Sequence, residues 1–266
     1  MKHKIRNNGI RKMLASFLVL LMLMPVLIVQ AADDGNINEV GVEWALDYAP
    51  CGIGNLINTK ADAEGFYNGL GSIGWTKVFN YGNGEAWESD FEKASVGGSD
   101  TLYGDAVDFA YLSGHGNIDA FWFGTPADGD GVLPCRIHPS ELSWGETDLD
   151  WIVLSDCLTL NYSSGGVFGR WRPSFQGLHL IMSYDTTSMD SAMGSSMVYY
   201  MTRPWYLGGS KKIKDAWFSA NIDNQPSTVW SAAIGTCNTF DDYLPSYGAV
   251  GADESNLCMA YQRVQS

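Results

Sequence analysis

The chain has 266 residues, of which 45% are hydrophobic, 13% aromatic and only 17% charged, so it can bury a large core and is not a disordered polypeptide. Thirty acidic side chains against 16 basic ones give a formal charge of −14, which disfavours nucleic acid and anionic lipid as partners.

Residues 1–31 read as an export signal. Lys2, Lys4, Arg6, Arg11 and Lys12 form a basic start, the run Met13–Val29 is apolar, and Val29-Gln30-Ala31 offers a cleavage point after Ala31. The apolar run approaches membrane-spanning length, so an uncleaved anchor is the alternative. Cleavage would leave 11 basic against 30 acidic residues, a charge of −19. Residues 32–266 are then expected as a single domain, secreted to the extracellular or cell-envelope space. That domain would be monomeric and not transmembrane once the signal is gone.

Hydrophobic periodicity predicts alternating strands and helices. Val40–Tyr48 reads as a strand, Thr59–Leu70 as a short helix, Trp75–Tyr81 as a strand, and Glu85–Ala94 as an amphipathic helix stopped at Gly97-Gly98. Val107–Ser113 and Leu149–Ser155 are short apolar runs of strand length, and Leu178–Tyr184 and Val229–Gly235 repeat the type. Helical patterns lie near Met189–Met201 and Lys211–Ala220. Near-continuous apolar strands alternating with helices predict an α/β fold, a three-layer α/β/α sandwich around a six-stranded, mostly parallel sheet. In such sheets, sites collect past the carboxyl ends of the central strands.

Two of those ends carry reactive side chains. The first strand runs into Ser113-Gly114-His115-Gly116 and the second into Ser155-Asp156-Cys157. If the strands are parallel neighbours, imidazole and thiol emerge at one edge, and Gly116 leaves a backbone N–H close to a ligand. Nucleophile, proton carrier and oxyanion donor are the parts of acyl transfer.

A hydrophobic strand ending in His-Gly, followed 42 residues later by one ending in Asp-Cys, resembles the caspase–gingipain–legumain group of cysteine peptidases. The chain also looks similar to a family of exported prokaryotic proteins of unknown function with the same His-Gly and Cys pair. That similarity runs from Gly41-Val42-Glu43-Trp44 through Gly177-Leu178-His179-Leu180 to Ala232–Gly235. The resemblance implies a caspase-like sheet and a peptide or protein substrate. It makes Cys157 the nucleophile, His115 the acid–base residue and Gly116 the oxyanion donor. Its pattern departs in one respect: Cys157 is followed by Leu158-Thr159-Leu160, and the nearest glycines are Gly165-Gly166.

All five cysteines lie in the exported portion, where thiols oxidise in pairs. A nucleophilic Cys157 must stay free; some or all of the other four then pair, and of the three connectivities open to them Cys51 with Cys135 and Cys237 with Cys258 is the one expected. His138 and His179 are weaker candidates, and His179, inside an apolar strand, reads as a satisfied core histidine. The histidine spacing carries no zinc motif, and no GxSxG elbow or phosphate loop is present. No cofactor is expected. Calcium is the one ion the acidic composition would attract, but Asp128-Gly129-Asp130-Gly131 lacks the ligands of a calcium loop and reads as a turn. The aromatic content supports a runner-up, an inactive module that binds glycan or another ligand. Trp122, Trp144, Trp171 and Trp205 are its candidate platform, or alternatively the lining of a peptide groove.

Overall fold

Five strands run parallel because each of their connections is long enough to cross back over the sheet. The computed structural model describes residues 38–125 and 135–266; the predicted export signal and the Asp128–Gly131 turn lie outside the described residues. The elements in chain order are β1 (Glu39–Trp44), α1 (Thr59–Ser72), β2 (Thr76–Gly82), β3 (Phe109–Ser113), β4 (His115–Gly116), β5 (Phe121–Trp122), β6 (Arg136–Ile137), β7 (Trp151–Ser155), α2 (Val167–Trp171), β8 (Leu180–Tyr184), α3 (Gly194–Thr202), α4 (Ile213–Asn224), β9 (Trp230–Thr236) and β10 (Met259–Gln265). The main sheet has the order β2-β1-β3-β7-β8-β9-β10. β2 to β8 are parallel, and β9 and β10 add antiparallel pairs at one edge. All described residues fall within one structural unit, Ala31–Ser266.

Alternation along the strands sorts their side chains between two cores. Val40, Val42, Phe109, Tyr111, Trp151 and Val153 pack under α1, α3 and α4, against Phe66, Leu70, Met197 and Trp217. Ala110, Leu112, Ile152 and Leu154 face the other way, onto Phe91, Trp144 and Trp171. Each fully buried large side chain contributes about 1.5–3 kcal/mol. Every residue of β3 is buried, as are the first four of β7, which is why both read as continuous apolar runs.

The sheet has seven strands where six were expected; the added one is β10. Its second face is also less helical than an ideal three-layer sandwich. Besides the five-residue α2, it is covered by short turns and by a small antiparallel sheet, β4-β5-β6. The helix predicted over Glu85–Ala94 is a series of three-residue 3₁₀ turns, Asn83–Glu85, Glu88–Asp90 and Ala94–Val96. The reason is competition for its carbonyls. Those of Ser89, Asp90 and Glu92 accept from the N–H groups of Ser99, Gly104 and Asp100, so the helical ladder is replaced by bonds to the following loop.

Cys51 pairs with Cys135 and Cys237 with Cys258, and Cys157 is free. Two disulfides are consistent with an extracellular protein. Among the described residues, no helix is long and apolar enough to cross a membrane.

Candidate functional site

β3 and β7 are hydrogen-bonded neighbours in exact step, Ser113 opposite Ser155. His115 and Cys157 each follow two residues later, so both leave the sheet at the same edge. They line one cleft of about 390 Å³ with Gly116, Ser188 and Asp190. Both side chains are half-buried.

Two contacts hold the imidazole, and one holds the backbone that carries it. His115 Nε2 lies 2.7 Å from the Gly54 carbonyl oxygen. A carbonyl only accepts, so a neutral ring carries its proton on Nε2 and keeps the Nδ1 lone pair for proton transfer. The His115 backbone N–H donates to Tyr48 Oη at 2.9 Å, and the Tyr48 ring packs edge-on at 4.7 Å between centroids. Tyr48 is buried and in turn donates to the Trp122 carbonyl at 3.2 Å. The loop bearing Gly54 is tied down by the Cys51–Cys135 bridge.

The thiol has its own donor, the Ser188 N–H, 3.3 Å from Cys157 Sγ. The same sulfur lies 3.7 Å from the Ser188 carbonyl oxygen and 3.5 Å from the Ser188 hydroxyl. Leu158, immediately after the nucleophile candidate, has φ +68°, a left-handed conformation that is costly for a branched side chain. The glycine missing from this stretch of sequence would have met that requirement without strain. Instead the Leu158 N–H bonds to the Thr186 carbonyl at 3.1 Å.

Two buried carboxyls support the strand ends. Asp62, in the first turn of α1, is wholly buried. Its Oδ2 accepts from Ser113 and Ser155 hydroxyls at 2.9 and 2.8 Å. Its Oδ1 accepts from Tyr111 Oη at 2.9 Å and from the Met193 and Gly194 N–H groups at 2.8 Å each. Burial pushes this carboxyl up, and those donors pull it back. Asp156 receives the Ser183 hydroxyl at 2.7 Å and a short bond from the Thr159 hydroxyl. Burial raises it to about 8, so at neutral pH it puts no full negative charge beside Cys157. Asp156 also explains why residue 116 is glycine: a Cβ there would stand 1.7 Å from Asp156 Oδ2.

Sequence reasoning missed Asp62, Tyr48, Gly54 and Ser188. No local signal marked them, since Asp62 reads as an ordinary acid in the first turn of a helix. His138 serves as a turn cap, its Nδ1 on the Asp119 carbonyl at 2.8 Å and its N–H on Glu141. His179 is the buried, satisfied histidine expected. The four tryptophans do not form a platform. Trp144 and Trp171 are core residues stacked at 6.3 Å, Trp122 is half-buried under Arg136, and Trp205 is 85% exposed. Among the described residues lining the cleft there is no tryptophan.

A search of curated proteins returns no match to the chain. Residues 42–264, spanning β1 to β10 and both strand ends of the cleft, match the family described as a domain of unknown function, DUF6345, and the chain belongs to that family.

Proposed function

We propose that the protein is an exported cysteine peptidase in which Cys157 and His115 form the catalytic pair. The observation that carries this reading is their emergence from adjacent, in-register parallel strands into one cleft, with the imidazole held through Nε2. In the proposed reaction His115 Nδ1 takes the proton of the Cys157 thiol as the sulfur attacks a peptide carbonyl carbon and forms a C–S bond. His115 Nδ1 delivers a proton to the leaving amine as the C–N bond breaks, and Gly116 N–H holds the oxyanion. Water then hydrolyses the acyl-enzyme with His115 as base. Resemblance to the caspase–gingipain–legumain group supports the same assignment.

The runner-up is an inactive module that binds glycan or another ligand, favoured by one observation, the exposed neighbours Trp205 and Tyr206. A mixed peptide library, digested by the purified protein beside Cys157→Ala and His115→Ala, decides between them. Cleavage by the parent and by neither variant supports the peptidase. No cleavage by the parent, together with no site-selective alkylation of Cys157 by iodoacetamide, leaves the binding module.

A further inference from the structure

At the opposite end of the sheet, two side chains stand immediately before their strands: Asp150 before β7 and His179 before β8. Both meet the loop between Cys237 and Cys258, which supplies Asp242 and Asp253. His179 Nδ1 lies 2.8 Å from Asp242 Oδ2. Asp242 is buried and immobilised, its Oδ2 also accepting from Trp151 Nε1 at 3.1 Å and its Oδ1 from the Gly251 N–H at 2.7 Å. A carboxylate on Nδ1 fixes the ring and turns Nε2 outward, the arrangement in which an outer carboxylate orients a metal-bound histidine.

Nε2 faces two more carboxylates, Asp253 Oδ1 at 3.1 Å and Asp150 Oδ1 at 3.5 Å. The three facing atoms all lie within 4.8 Å of one another. Bonds of about 2.1 Å to a tetrahedral zinc ion place neighbouring ligand atoms about 3.4 Å apart, so the two distances from Nε2 already match its edges. The group opens onto a cavity of about 210 Å³ whose walls include Asp108 and Asp148 and, among the described residues, no lysine or arginine. His179 Nε2 is within hydrogen-bonding distance of Asp253, so an ion that takes this lone pair displaces the proton shared there.

We propose that His179 Nε2, Asp150 and Asp253 bind a divalent transition-metal ion of the zinc or manganese class, oriented by Asp242, with a remaining coordination position open to the cavity. One imidazole with carboxylates suits these ions better than calcium, which takes oxygen ligands. Asp150 and Cys157 stand at opposite ends of β7, about 20 Å apart at the rise of an extended strand. The ion would therefore fasten the disulfide-closed loop to the sheet and take no part in the thiol chemistry. The ligands come from positions 150, 179 and 253, which is why histidine spacing carries no metal motif.

The test is calorimetric titration of the chelator-treated, disulfide-bonded protein with Zn²⁺, Mn²⁺ and Ca²⁺ separately, with thermal unfolding in parallel. One equivalent of Zn²⁺ or Mn²⁺ should bind, and Tm should rise by about 5 °C or more at 100-fold excess over Kd. Asp253→Asn, at a partly exposed side chain whose loss spares the fold, should weaken binding at least about 10-fold. Asp241→Asn, an acid of the same loop outside the group, should bind like the parent. His179→Gln repeats the Asp253→Asn result wherever it folds. No saturable binding of either ion overturns the proposal, and so does unchanged binding by Asp253→Asn. Binding of calcium alone also overturns it, because the imidazole then has no place in the site.

Discussion

Ser113 and Ser155, paired across β3 and β7, donate their hydroxyls to the same oxygen of Asp62, at 2.9 and 2.8 Å. One buried carboxylate thus ties together the two strands that deliver His115 and Cys157. Its other oxygen holds the first turn of α3 through the Met193 and Gly194 N–H groups. The close approach is built in: a Cβ on Gly194 would come within 2.2 Å of the Asp62 carbonyl.

Removing that carboxylate should be expensive. Asp62→Ala orphans three hydroxyls and two backbone N–H groups in the core, and unsatisfied buried donors cost about 1–3 kcal/mol apiece before relaxation. The expected loss is about 3 kcal/mol or more in urea unfolding. Asp62→Asn, which keeps shape and one acceptor, should lose less than Asp62→Ala. Equal midpoints for Asp62→Ala and the parent would show that the five bonds contribute nothing net.

The bridge between Cys51 and Cys135 should act on both stability and turnover. It closes a sequence separation of 84 residues, which the chain-entropy model values at about 4–5 kcal/mol. It also tethers the loop whose Gly54 carbonyl receives His115 Nε2. A Cys51→Ser/Cys135→Ser protein should therefore melt earlier and, at temperatures where it remains folded, show a lower kcat with little change in KM. An unchanged kcat in the folded double variant would mean that His115 is oriented without the loop.

Cys157 and His115 should behave as one unit if the peptidase reading holds. Cys157→Ala and His115→Ala should each lower kcat/KM by at least about 10³-fold, and the double variant should be no worse than the poorer single one. Circular dichroism and Tm near the parent's would exclude misfolding as the cause. Additive losses in the double variant would mean that the two side chains act separately.

What was legible in the sequence was whatever depends on local periodicity. β3 and β7 announced themselves because strands buried on both faces must be apolar at every position, and their reactive ends followed from the parallel-sheet rule. β10 was not legible: Met259–Gln265 is an edge strand, half-exposed, with Gln262, Arg263 and Gln265 interrupting the pattern. Strands of two residues, such as β4 and β5, have no periodicity to read. Glu85–Ala94 misled because its helical pattern is local, whereas the bonds that win come from residues 99–104. The supports of the site were hidden for a related reason. Asp62 looks like an ordinary first-turn acid, and only the fold brings Ser155, 93 positions away, to its carboxylate.

Asp156 gives the site a pH signature opposite to the usual acid-denaturation pattern. Its carboxyl is wholly buried and raised from an ordinary 3.8 to about 8 by desolvation, with the Ser183 and Thr159 hydroxyls opposing the rise. The folded state therefore holds a proton that the unfolded chain gives up near pH 4. That contribution to stability is complete below about pH 4 and falls as pH climbs to about 8, with a slope of at most about 1.4 kcal/mol per pH unit. Asp105 and Asp150, both raised to about 7 mainly by burial, add slopes of the same sign, so the parent curve alone cannot isolate one group. Asp156→Asn removes the titration while keeping the shape. Its unfolding free energy, measured in urea from pH 5 to 7.5, should decline less steeply than the parent's, whatever its absolute level. Parallel curves for the two proteins would mean that Asp156 is ionised in the folded state across this range, and a negative charge would then stand beside Cys157 at neutral pH.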